Sequence, residues 1–123
     1  MQSIWSLEEE FPKRDSLSGN INTDVAIIGA GMCGLLTAFL LNKRGVDTVV
    51  LEANSVASGQ TQNTTAKITS QHDIIYDKLI NQFGEIKARQ YASANQKAIT
   101  DYANIINENN IECEFKRLPA YVL

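Results

Sequence analysis

The chain is poor in several residue types, and each shortage removes a class of protein. Its 123 residues include two cysteines, two prolines, one tryptophan and one histidine. Cys33 and Cys113 stand far apart and build neither a disulfide framework nor a metal-ligand spacing, so no metal site is expected. Lysine and arginine number 11 against 14 acids, a net charge of −3, and no basic cluster occurs. Nucleic acid is therefore not an expected partner. The run Glu8-Glu9-Glu10 reads as a solvated face or arm. Long apolar stretches are also missing. Leu35 to Leu41 is the most apolar helical stretch, far below the roughly 20 residues that span a bilayer. It reads as a buried helix, and no membrane partner is expected. Met1 to Asp15 shows no basic leader, apolar core or small-residue cleavage site, so the expected location is the cytoplasm. There is no internal repeat or low-complexity tract. What remains is a slightly acidic chain with 44% hydrophobic residues, enough for one small domain with its own core.

The most informative stretch runs from Asp24 to Glu52, DVAIIGAGMCGLLTAFLLNKRGVDTVVLE. An apolar strand leads into the turn Gly29-Ala30-Gly31-Met32-Cys33-Gly34. A helix follows, then a second apolar strand that ends at an acid. Gly29 permits a tight turn out of the strand, Gly31 leaves room for a pyrophosphate to approach the backbone, and Gly34 lets the helix pack on the strand. The helix N-terminus offers free N–H groups, those of Met32 and Cys33, and a positive dipole end to phosphates. Lys43 and Arg44 suit the negative end of the dipole, and Gly45 follows as a left-handed cap. Glu52 and Ala53 stand where an adenosine ribose would be read. An acid about 20 residues beyond the glycines is what turns a glycine-rich turn into a dinucleotide fingerprint. The carboxylate favours FAD or NAD, because Ala53-Asn54-Ser55 contains no arginine for the 2′-phosphate of NADP.

Elsewhere the chain offers less chemistry. Residues 1–22 read as an arm in which Ile4, Trp5, Leu7 and Phe11 dock on something larger. Asn54 to Thr69 reads as a long polar loop, a length that goes with function or disorder. Asp73 to Phe83 reads as a helix with Ile75, Leu79 and Phe83 on one face, and Gly84 interrupts it. Glu85 to Asn109 reads as a longer helix with Tyr91, Ala94, Ala98, Tyr102 and Ile105 in its apolar stripe. Glu112 to Arg117 alternates like a strand, Leu118-Pro119 turns, and Ala120 to Leu123 opens another strand. Cys33 reads as a small buried residue at a helix start more than as a redox group. His72 reads as a loop side chain beside Asp73, the expected N-cap, more than as a chemical group, and Lys67 as a surface lysine.

The loop Ser58-Gly59-Gln60-Thr61-Gln62-Asn63-Thr64-Thr65-Ala66-Lys67, together with the fingerprint, resembles the FAD-dependent oxidoreductases of the D-amino-acid-oxidase superfamily. Members carry a small-residue loop after the acid that closes the second strand. Gly59 takes the place of a family glycine, Thr61 of its serine, Thr64 of its asparagine and Ala66 of its last glycine. Asn63 stands where the family often has arginine, and Lys67 follows Ala66. The stretch TTAKITSQHD and the tyrosine-bearing helix after it resemble a bacterial branch whose FAD domain is joined to a C-terminal Rieske iron–sulfur domain.

The resemblance implies an α/β fold, a Rossmann-like FAD/NAD(P)-binding βαβ unit with following helices, incomplete as given. Residues 23–123 would form the N-terminal part of the FAD-binding domain. More strands and a mostly antiparallel substrate domain would follow, with a [2Fe-2S] cluster in a C-terminal part. Thr61, Thr64, Thr65 and Ala66 would line the path to the flavin. The implied substrate is an amine or amino acid whose C–N bond is oxidised. The implied electron acceptor is oxygen or an iron–sulfur partner. No catalytic residue falls within the 123, and such a fragment would tend to self-associate. Two competing readings are an NAD-linked dehydrogenase and a nucleotide-binding module without chemistry.

Overall fold

The computed structural model describes residues 11–121. The proposed docking residues Ile4, Trp5 and Leu7, the acidic run at 8–10 and the end of the last expected strand lie outside them. The chain divides into two compact units, Met1–Thr65 and Ala66–Leu123.

In the first unit, β1 (Val25–Ile28) and β2 (Thr48–Leu51) pair in parallel, with Val25 opposite Thr48 and Ile28 opposite Leu51. Parallel neighbours need a long crossover, and α1 (Met32–Asn42) supplies it. The ladder is extended at both ends, by Val25 N–H to the Asp47 carbonyl at 3.1 Å and by Gly29 N–H to the Leu51 carbonyl at 2.7 Å. Along β1, Val25 and Ile27 are half-buried while Ala26 and Ile28 are exposed, Ile28 to 80%. Within this unit the sheet therefore has a helix on one face.

That one-sidedness corrects the expectation of a buried helix. No residue of α1 is buried, and Leu35 and Leu40 are exposed. An apolar all-round helix is covered only where layers lie on both sides of it. Cys33 is likewise exposed and not buried. The helix stops at Asn42, so Lys43 and Arg44 follow its last turn and do not lie in it, but the expected Gly45 cap forms. Gly45 has φ +76°, its N–H meets the Asn42 carbonyl at 2.9 Å, and the Val46 N–H reaches the Leu41 carbonyl at 3.2 Å. This is a Schellman cap. The Arg44 guanidinium adds a bond to the Leu40 carbonyl at 3.2 Å.

In the second unit, α2 (Ile75–Phe83) and α3 (Glu85–Glu108) pack against each other. Gly84, at φ +82°, ends one helix and starts the next. Ile75 and Leu79 are half-buried as expected, but Phe83 is 49% exposed. As far as Ile99 the covered stripe of α3 is rotated by about one residue from the expected one: Ala88 is buried and Ala92, Asn95 and Ile99 half-buried, while Ala94 and Ala98 are exposed; further on, Tyr102 and Ile105 are half-buried as expected. Tyr91 instead meets Tyr76 edge-on, with ring centroids 6.2 Å apart. Asp73 is not the N-cap of α2. It sits at φ +51°, and the capping position falls to Ile74 with no side-chain bond.

Neither C-terminal strand forms among the described residues. Residues 112–121 are irregular and exposed. Period-2 alternation makes a strand only where a neighbour completes the ladder, and none does so here. Residues 11–22 form neither helix nor strand, and are exposed.

Candidate dinucleotide-binding site

The three glycines hold three different places. Gly29 has φ +99°, a conformation that a side chain resists, and it turns the chain sharply out of β1. Gly34 touches that turn. A Cβ placed on it would lie 2.0 Å from the Gly29 carbonyl oxygen and 3.3 Å from Ile27 Cγ2. Only glycine lets α1 come this close to β1. Gly31 is extended, and a Cβ there would stand 3.3 Å from Thr61 Oγ1. The space beside the second glycine is thus shared with a threonine 30 residues further on.

Glu52 joins the ends of both strands. One carboxylate oxygen accepts the Ala30 N–H at 2.8 Å, and the other accepts the Asn54 N–H at 2.9 Å. The Asn54 N–H first and the Ala30 N–H second hold this carboxyl below the usual carboxylate range. Each oxygen keeps acceptor capacity after one bond, so ribose hydroxyls still find partners there.

The loop of residues 54–65 is not structureless. Gln60–Asn63 form a 3-10 turn, fixed by the Gln62 N–H on the Ala57 carbonyl at 3.2 Å and the Asn63 amide on the Gly59 carbonyl at 3.2 Å. Two bonds tie this loop to the glycine-rich turn. The Ala57 N–H donates to the Ala30 carbonyl at 3.0 Å, and the Met32 N–H donates to Thr61 Oγ1 at 3.0 Å. The Met32 donor expected to face a pyrophosphate is therefore engaged by Thr61. Thr64 turns its hydroxyl to the Thr61 carbonyl at 3.2 Å.

Gly29, Gly31, Met32, Gly34, Glu52 and Thr61 thus converge within one unit, with Cys33 and Ala53 beside them in the chain. Thr65 ends that unit and Ala66 begins the other. Ala66 stands at φ +54°, so the position aligned with a family glycine does adopt a glycine-like conformation. Sequence reasoning missed Ala30, Asn54 and Ala57. Ala30 is 2% exposed and uses both its N–H and its carbonyl in the site. These three act through backbone atoms, so their residue types carried no signal. His72 and Lys67 are exposed. Among the described residues no group of acids, histidines and cysteines could hold a metal ion, and no helix is long and apolar enough to cross a membrane.

A strand, a glycine turn, a helix and a second strand ending at a bonded carboxylate define a dinucleotide-binding βαβ unit. Residues 24–123 match the family described as DAO, FAD dependent oxidoreductase, and the chain belongs to that family. FAD is the family's cofactor, and the chemistry of the turn is compatible with it: glycines at the start of α1, backbone N–H groups in its first turn, and a carboxylate with acceptor capacity after β2. The chain is 43% identical over 121 residues to a Bacillus subtilis protein named "Putative Rieske 2Fe-2S iron-sulfur protein YhfW", covering 98% of this chain and 24% of that one. It is 26% identical over 102 residues to gamma-glutamylputrescine oxidoreductase of Escherichia coli, covering 83% of this chain and 24% of the relative. The chain spans about a quarter of the length of these relatives. No solved structure matches it significantly.

Proposed function

We propose that this chain supplies the adenosine diphosphate-binding part of a flavin-dependent oxidoreductase acting on the C–N bond of an amine or amino acid. The observation that carries the reading is the Glu52 carboxylate, bound to the turn after β1 and to the turn after β2, with acceptor capacity left for a ribose. Gly29, Gly31 and Gly34 shape the pyrophosphate approach, and Cys33 N–H and the α1 dipole favour its charge. Thr61, Thr64, Thr65 and Ala66 belong to the stretch that leads towards the flavin. FAD, when bound, accepts the hydride from the substrate. The residues of this chain would hold and orient it, and the groups that touch substrate would lie mostly in other parts of the whole protein.

The amine class is supported by the likeness to gamma-glutamylputrescine oxidoreductase, whose name gives an amine substrate. The likeness to YhfW supports a [2Fe-2S] cluster elsewhere in the whole protein, as electron acceptor. Purified full-length protein should carry an FAD spectrum and lose it on denaturation. Anaerobic addition of amines and amino acids should bleach that spectrum for at least one class. A protein that takes up NAD and refuses FAD would overturn the cofactor assignment. FAD that bleaches only with substrates lacking a C–N bond to oxidise would overturn the substrate class alone.

A further inference from the structure

We propose that Thr61 caps α1 from a separate element, and that the second glycine of the turn eases the fit of its hydroxyl. The inference rests on the dinucleotide reading only for its consequence, not for the cap itself. Met32 is the first residue of α1, and the preceding Gly31 has no side chain to cap with. A cap at position 31 would in any case serve the second or third helical amide, not the first. Thr61 Oγ1 meets that first amide at 3.0 Å. It reaches it across Gly31, where a Cβ would press on the same oxygen at 3.3 Å. Thr61 is held in place by the 3-10 turn around it and by the Ala57 bond to Ala30.

A hydroxyl that accepts the Met32 N–H still has its own hydrogen to donate. The first turn of α1 therefore presents a threonine O–H to a phosphate in place of the Met32 N–H. Thr61 is a positioning residue in this sense: it orders the start of α1 and ties the loop that follows β2 to it. The second glycine then has a duty beyond leaving room for the ligand.

The cap can be tested in the full chain without cofactor, by NMR hydrogen exchange at the Met32 amide and by thermal unfolding. Thr61→Ala should speed Met32 exchange by about tenfold, the worth of a typical helix cap, and Thr61→Ser should stay within about twofold of the parent. Gly31→Ala should speed this amide by less, because a Cβ at 3.3 Å presses the hydroxyl aside by only a few tenths of an ångström. It should lower the unfolding midpoint in the Thr61 protein but much less in the Thr61→Ala protein. Equal Met32 exchange in the parent and Thr61→Ala overturns the cap, and an equal cost of Gly31→Ala in both backgrounds overturns the part given to the second glycine. Should Thr61→Ala fail to fold, Thr61→Val keeps the shape and removes only the hydroxyl, and Met32 exchange equal to the parent's in that variant overturns the cap alone. FAD titration separates the consequence: Thr61→Ser should bind as the parent does, and Thr61→Ala about tenfold more weakly, the scale of one hydrogen bond. A parent that binds no FAD sinks the dinucleotide reading, while the exchange data still decide the cap.

Discussion

Glu52, the residue after β2, accepts the N–H of Ala30, in the turn after β1, at 2.8 Å. The bond spans 22 residues of sequence and joins the ends of two neighbouring strands. Its second oxygen takes the Asn54 N–H. One side chain thus orders both turns that flank the expected adenosine. Replacing it by glutamine leaves one acceptor oxygen and sets an NH2 against a backbone donor. Glu52→Gln should weaken FAD binding by about tenfold or more, the scale of losing a bond to a charged group. Fluorescence titration of the apoprotein with FAD checks this, and unchanged affinity removes Glu52 from the site.

The same carboxylate sets a pH dependence. Its folded-state pKa is depressed, by the Asn54 N–H first and the Ala30 N–H second. Its contribution to stability is therefore fully present above the unfolded value, near 4.5, and is lost as pH falls through the folded pKa. The gap in urea midpoint between the parent and Glu52→Gln should be constant around neutrality and close in acid. A gap that persists below the folded pKa assigns the effect to something other than the carboxylate charge.

Gly34→Ala should be disruptive out of proportion to one methyl group. The added carbon would lie 2.0 Å from the Gly29 carbonyl oxygen, a backbone atom that cannot swing aside. Either α1 moves away from β1 or the turn distorts, at a cost of about 3 kcal/mol, the upper range for overpacking. Urea unfolding measures it. A loss well under 1 kcal/mol would mean that α1 and β1 are not held at this distance in solution.

Ala57 offers the opposite sign. It stands at φ +59°, pinned there by its N–H bond to the Ala30 carbonyl. An L-residue in that region costs about 1–2 kcal/mol, and glycine avoids the cost. Glycine also gives up about 0.5–1 kcal/mol in chain entropy. Ala57→Gly should therefore stabilise by about 0.5–1 kcal/mol, seen as a higher urea midpoint, whereas Ala57→Val should destabilise.

Tyr76 anchors the second unit. Its hydroxyl donates to the Ser70 carbonyl at 2.6 Å, and the Gln96 amide donates to the Ser70 hydroxyl at 2.5 Å. Tyr76→Phe keeps the ring against Tyr91 and removes only the first bond. It should cost about 1 kcal/mol, the net worth of one hydrogen bond. Faster amide exchange confined to residues near Ser70 would accompany it.

The local features of this chain were legible in its residues. Strand, glycine turn, helix and strand follow from apolar runs, three glycines and the acid at Glu52. The Gly45 cap and the break at Gly84 follow from glycine's freedom at positive φ. These depend on neighbours within a few positions, which a sequence displays. The tertiary structure decided the rest. It faced α3, as far as Ile99, through Ala88, Ala92, Asn95 and Ile99, because the partner helix chooses among nearby faces. It left residues 112–117 without a ladder, because a strand requires a second strand. It closed the Met32 amide with Thr61 and the Ala30 amide with Glu52, 29 and 22 residues away. No local pattern announces such bonds, since they form only when separate elements bring a backbone donor and a distant oxygen within 3 Å of each other.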